Sequence, residues 1–136
     1  MTQTFQFRLV SPEAEVMNAP AVQVTLPGAS GEFGVRVGHM PLISALNPGV
    51  VHIVTDDAAA PTRFFIAGGF ANVNAGECSV LAESVTDLLT LNPQAVQADI
   101  DAITARLASD LDDQTATALR AELVIAQARL AAVRAA

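Results

Sequence analysis

The sequence predicts a mainly β plus α protein, with an N-terminal β-sandwich of about ten short strands followed by a C-terminal antiparallel two-helix hairpin. Three observations carry that reading. From Val22 to Val54 short apolar runs alternate with turn-forming punctuation at Pro27-Gly28, Gly31, Gly34, Gly38, Pro41 and Pro48-Gly49. All six Phe lie between Phe5 and Phe70, whereas the chain after Pro93 is dominated by alanine. Large aromatics build a thick core and alanine permits thin helix packing, so the sequence divides into a sandwich over residues 1–87 and a hairpin over residues 88–136. The third observation is the change of texture at Asn92-Pro93, where an amide able to cap precedes proline at a first helical position.

Phe5, Phe7 and Leu9 alternate with Gln6 and Arg8, the period of a strand with one buried face, and Ser11-Pro12 ends it. A strand pattern resumes at Glu15 and runs through Val22, Val24 and Leu26 to the turn at Pro27-Gly28. Glu32 to Val37 reads as a further strand, with Phe33, Val35 and Val37 on one face. Pro41 to Leu46 and Val50 to Thr55 are two more, and Asn47-Pro48-Gly49 between them fits a type II turn. The acidic, alanine-rich stretch from Asp56 to Thr62 reads as a solvated loop. Arg63 to Ala67, Phe70 to Val73 and Cys78 to Ala82 complete the series, separated by Gly68-Gly69 and Asn74-Ala75-Gly76.

In the C-terminal part, Val96, Ile100, Ile103 and Leu107 recur at helical spacing. Leu119, Leu123, Ala126, Leu130 and Val133 form a second stripe after Asp110, Asp112 and Asp113, acids placed to complement a helix N-terminus. Arg120 and Arg134 flank one edge of that stripe and Arg129 the other. Their long stems fit snorkelling around a buried seam, and their charges fit docking onto an acidic partner. Four or five apolar positions per helix barely offset the entropy of ordering the backbone, so the hairpin reads as a marginal unit.

Charge and composition exclude several functions. The net charge of −7 comes from fourteen acids against seven basic residues, every one of them Arg. Such a surface repels nucleic acid. The single cysteine, Cys78, forms no internal disulfide and reads as a small packed residue. The opening MTQTFQFRLV has no basic head followed by an apolar stretch, so it does not resemble an export signal. Between Arg36 and Asp56 no charge occurs, long enough for a span of about 20 residues. Two prolines, two glycines, an asparagine and two histidines inside that window would break a lipid-exposed helix, and core strands account for it instead.

Signals of catalysis are thin. No phosphate loop, HExxH, CxxC or GxSxG is present, and the spacing of Gly28, Gly31 and Gly34 lies between strands with no helix to follow. His39 and His52 stand on different strands, and a metal site would need a third ligand such as Glu32 or Glu83. No catalytic or metal-binding residue is therefore assigned. A metal-binding or enzymatic β-sandwich is the alternative class, distinguished by stoichiometric metal or turnover in the purified chain. His39 stands in the corner Gly38-His39-Met40-Pro41-Leu42, either tying the loop by hydrogen bonds or lying on an apolar corner that grips a partner.

The run VTLPGASGEFGVRVGHMPLISALNPGVVHI, followed by FFIAGGFANVNAGECSVLAE and a helical hairpin, resembles the epsilon subunit of bacterial F-type ATP synthases. The glycine-glutamate strand, the G-H-x-P-L corner, the PG turn and the strand ending in VLAE occur in the family's order from Gly31 to Glu83. The resemblance covers nearly the whole chain. It implies a rotor component with no active site and no cofactor of its own, peripheral to the cytoplasmic face of the bacterial inner membrane and associated with it only through the complex. Its implied partners are the gamma subunit and the c ring, coupling proton translocation to ATP synthesis, with the beta subunit reached through the hairpin.

By the same resemblance Glu32 falls in the loop facing the c ring, Ser11 and His39 fall beside gamma, and Met40, Pro41 and Leu42 belong to the same interface. Two departures qualify the hairpin. Where ATP-binding members carry an [IL]-D-x-x-R-A segment, this chain reads Leu91-Asn92-Pro93-Gln94-Ala95-Val96, lacking both aspartate and arginine, which argues against regulatory ATP binding. After Pro93 there are four Arg against six acids, so docking to an acidic beta loop would rest on Arg120, Arg129 and Arg134 of the second helix alone.

Overall fold

The computed structural model describes residues 3–56, 58 and 60–135. Ten strands and two α-helices are found among them, with one 3-10 turn (Leu88–Thr90) between the last strand and the first helix: β1 (Phe5–Val10), β2 (Glu15–Ala21), β3 (Gln23–Gly28), β4 (Gly31–Arg36), β5 (Leu42–Leu46), β6 (Gly49–Val54), β7 (Thr62–Ile66), β8 (Gly69–Asn74), β9 (Glu77–Ala82), β10 (Val85–Asp87), α1 (Pro93–Leu107) and α2 (Asp113–Ala135). The strands form a continuous ladder in the order β10-β7-β6-β3-β5-β8-β9-β1-β2, with β4 added on β3. At its middle, β3 and β5 share a single rung, Gly28 with Leu46, reinforced by hydrogen bonds from Ala29 N–H to the Ala45 carbonyl and from Asn47 N–H to the Pro27 carbonyl. There the ladder folds over, so that β2-β1-β9-β8-β5 faces β4-β3-β6-β7-β10.

The alternation seen in the sequence sets which side chains enter the space between the two halves. Phe5, Phe7 and Leu9 of β1, Val80 of β9 and Val73 of β8 meet Val24 and Leu26 of β3, Val35 of β4, and Val51 and Ile53 of β6 in one buried cluster. Each such side chain taken out of water contributes about 1.5–3 kcal/mol. Cys78 is part of this core, as its reading as a packed residue requires. Every pairing is antiparallel except β1 with β9, where Gln6 to Val10 run parallel beside Glu77 to Leu81.

Four local features differ from the sequence reading. The run from Glu15 to Leu26 is two strands, because the alternation fails at Ala21 and Val22, both buried, where the chain leaves β1 for the facing half. Gly49 does not adopt the positive φ that a type II turn demands of its third residue. It is instead the first paired residue of β6, and a Cβ there would stand 2.8 Å from Cβ of Pro27, so close approach is what requires glycine. Phe70, counted with the aromatics of a thick core, points outward and is 59% exposed. A short strand after the last predicted one, β10, pairs with β7. Residues 57 and 59 of the loop read over Asp56 to Thr62 lie outside the described residues; within it, Ala58 N–H bonds to Oδ1 of Asp56 at 3.0 Å.

Two compact units are distinguished, residues 1–87 and residues 88–136. In the second, Oδ1 of Asn92 accepts hydrogen bonds from the backbone N–H groups of Gln94 at 2.8 Å and Ala95 at 3.4 Å, with Pro93 at the first helical position. This satisfies N–H groups that a helix start leaves without partners. A loop at residues 108–112 reverses the chain, and the Asp112 carbonyl accepts the first bond of α2 from Ala116. The two helices pack on one another. Val96, Leu119 and Ala126 are buried and Ile100, Ile103, Leu107, Leu123, Leu130 and Val133 half-buried, while the opposite faces are exposed. No helix among the described residues is long and apolar enough to cross a membrane.

Candidate protein-interaction surface

The outward face of β5, β8, β9 and β1 is built from two neighbouring rungs. One aligns Ala45, Phe70, Leu81 and Val10; the next aligns Ile43, Asn72, Ser79 and Arg8. Residues directly opposite across paired strands share a face, so each rung is a row of adjacent side chains. Ile43 is 75%, Phe70 59% and Leu81 60% exposed, three large apolar groups in water on a rigid sheet. Scattered apolar residues are ordinary on a surface, whereas a contiguous group of this kind marks an interaction site. A groove of about 420 Å³ lies over the two rungs, lined by Arg8, Ile43, Phe70, Asn72, Ser79 and Leu81 among others, and Arg8 is its one charged group.

Ser11 adjoins this face. Its N–H and hydroxyl both donate to the Ala14 carbonyl, at 2.9 and 3.3 Å, and it lines a second groove of about 410 Å³ with Pro12, Phe70, Leu81 and Glu83. Glu32, exposed on β4, lines a third groove with Ser30, Phe33, Leu42, Ile43 and Ser44. Ile43 therefore belongs to both surfaces, and Leu42 stands beside it. Met40 and Pro41 are exposed, Met40 at 78%. His39 lies elsewhere, in a groove with Gln23, Gly34, Arg36 and Val37. Its backbone N–H bonds to the Arg36 carbonyl at 3.1 Å, and its ring Nδ1–H donates to the Met40 carbonyl at 2.7 Å. The Arg36 Nε–H is held by Oε1 of Gln23 at 2.8 Å. On α2, Arg120 and Arg134 are exposed and Arg129 is half-buried.

Beneath the apolar rungs the Cys78 thiol is pushed up to about 12, by burial first and by the negative charge of Glu77 second. A thiol held neutral in this way is no nucleophile. Among the described residues no cluster of three or more His, Cys, Asp or Glu is arranged to hold a metal ion.

Residues 4–87, the whole strand region, match the family model described as ATP synthase, Delta/Epsilon chain, beta-sandwich domain. The "ATP synthase epsilon chain" of Rhodospirillum rubrum is 38% identical over 132 residues, covering 97% of this chain and 98% of that one. The chain belongs to the ATP synthase epsilon-chain family. A second epsilon chain, from Rhodospirillum centenum, is 38% identical over 96% of this chain and 92% of its own length.

Two solved structures share this epsilon-family fold. A chain of the Euglena gracilis mitochondrial ATP synthase, solved as OSCP/F1/c-ring, superposes with a TM-score of 0.84 at 21% identity over 96% of this chain and 81% of that one. A chain of the Tetrahymena thermophila mitochondrial ATP synthase central stalk/c-ring does so with a TM-score of 0.68 at 18% identity, over 97% and 98%.

Ile43, Phe70, Leu81 and Arg8 were not among the site residues that the sequence indicated. The signal available was the loss of alternation in Pro41-Leu42-Ile43, Gly69-Phe70-Ala71 and Val80-Leu81-Ala82, where consecutive apolar residues make both faces of a strand apolar.

Proposed function

We propose that this epsilon-family chain is a non-catalytic rotor subunit of an F-type ATP synthase, in which the face of β5, β8, β9 and β1 binds the gamma subunit and the loop carrying Glu32 meets the c ring. The observation that carries this reading is the contiguous exposure of Ile43, Phe70 and Leu81 on a sheet whose other side is a packed core. A surface of that kind transmits torque because the strands under it cannot yield independently of the core. Ser11 borders the gamma contact, Met40, Pro41 and Leu42 extend it, and His39 stabilises their corner. The subunit acts through binding alone, without cofactor or bound nucleotide, and sits at the cytoplasmic face of the bacterial inner membrane through its partners.

Phe70→Asp tests the reading. An exposed position tolerates the change, so the far-ultraviolet spectrum and melting temperature should hold, while affinity for purified gamma falls about 100-fold, the loss of a central aromatic anchor. Unchanged affinity would overturn the assignment of this face.

The hairpin contributes little to regulation in this proposal. Three arginines on α2, one of them half-buried, offer a weak counterpart to an acidic beta loop, and six acids oppose the four Arg of the segment. Removing the chain from Pro93 onward should leave ATP hydrolysis by the reconstituted enzyme within about twofold of the full chain, since exposed ion pairs are individually weak. A strong rise in hydrolysis would show that the hairpin inhibits.

A further inference from the structure

We propose that Arg8 reads the charge of the partner on this face: an apolar row of the partner covers Ala45, Phe70, Leu81 and Val10, and a carboxylate one rung away pairs with the Arg8 guanidinium. The inference rests on the gamma reading above and adds the chemistry of the segment that gamma must present.

The two rungs are two residues apart along each strand, about 7 Å. An apolar rung thus lies beside a polar one made of Asn72, Ser79 and Arg8, with Ile43 closing its far end. Arg8 is the one charged group in the groove over them, in a chain whose net charge is −7. Its present bonding is incomplete. Nη2 reaches Oε2 of Glu15 at 3.3 Å, with the two side chains 42% and 41% exposed, and Nε is shielded from solvent without a hydrogen bond. An ion pair that long and that exposed holds a guanidinium loosely.

A carboxylate delivered by a partner that also excludes water can engage the planar fork through two parallel bonds, the geometry in which arginine discriminates best. Glu15 then serves as a resident competitor that holds Arg8 loosely until the partner arrives. Charge reading of this type favours the correct partner and rejects a segment that brings a cation to the same place.

The test measures affinity of the full chain for purified gamma from the same enzyme, for Arg8→Gln, Glu15→Ala and Phe70→Asp, at two salt concentrations. Arg8→Gln should weaken binding about tenfold and flatten its salt dependence, whereas Glu15→Ala should leave affinity unchanged or tighten it. Equal weakening by Arg8→Gln and Glu15→Ala would make their pair a brace for β1 and β2 and overturn the proposal. Loss of binding on Phe70→Asp alone would overturn the role of Arg8 and leave the gamma face standing. No effect of any of the three would overturn the gamma face itself.

Discussion

Gly69→Ala should destabilise the sandwich by about 3 kcal/mol or more, the sum of backbone strain and overpacking each costing about 1–3 kcal/mol. Gly69 opens β8 with a φ of +149°, a conformation that L side chains rarely adopt. A Cβ there would come 2.1 Å from the Leu81 carbonyl oxygen and 2.9 Å from Cα of Ala82, both backbone atoms of β9 that have no room to retreat. Gly69 pairs with Ala82 on one side and with Leu46 on the other, next to the rung where the two halves of the ladder join. Relief of the clash therefore requires breaking one of those pairings. Urea unfolding of the variant would show a lower midpoint with an unchanged slope. Gly31→Ala is the control, since its φ is also positive but no atom beyond its own chain neighbours lies within 4 Å of its added Cβ. A midpoint for Gly69→Ala no lower than that of Gly31→Ala would refute the clash.

Alkaline titration should produce a second large effect. The Cys78 thiol is raised from 9.0 to about 12 in the folded chain. In the unfolded chain it loses its proton near its ordinary value, so between about pH 9 and pH 12 only the unfolded state carries the thiolate. Stability is therefore fully present below the lower limit and falls by about 1.4 kcal/mol per pH unit through the window, about 4 kcal/mol across it. The composition makes this measurable, for the chain has no Tyr and its seven basic residues are all Arg. Tyr and Lys are the other side chains whose ordinary values fall in that range, and the sequence has neither. Urea midpoints measured from pH 8 to pH 11 should decline for the natural sequence and stay level for Cys78→Ala. Parallel curves for the two would disprove the assignment.

What the sequence disclosed follows from where one physical term dominates. Phe5, Phe7 and Leu9 alternate with polar residues, and a strand with one wet face leaves no other reading. Asn92-Pro93 states its helix start through two independent preferences, an amide acceptor and a ring with no N–H, and the backbone there obeys both. Legibility failed where two terms agree. In Leu42-Ile43 and Leu81-Ala82 both faces are apolar, so period alone does not say which side meets water, and the exposed apolar face stayed hidden among core residues. Pro48-Gly49 has the composition of a type II turn, yet the contact of Gly49 with Pro27 comes from a strand far away in sequence. The break between β2 and β3 at Val22 is likewise a tertiary event, recorded only as two adjacent buried residues. Ser11, Glu32 and Leu42 came from family likeness, and their positions beside Phe70 or Ile43 are a product of strand order that no local pattern encodes.

The parallel pairing of β1 with β9 has a consequence for synthesis. Strand β1 is flanked in the finished sheet by β2 and by β9, which is made near the end of the sandwich, so the core of Phe5, Phe7 and Leu9 stays open until Glu77 to Ala82 have emerged. Closing so long a loop is slow compared with forming a hairpin. Throughout that interval the nascent chain displays a half-apolar strand with one edge unoccupied, a state open to mispairing with other chains.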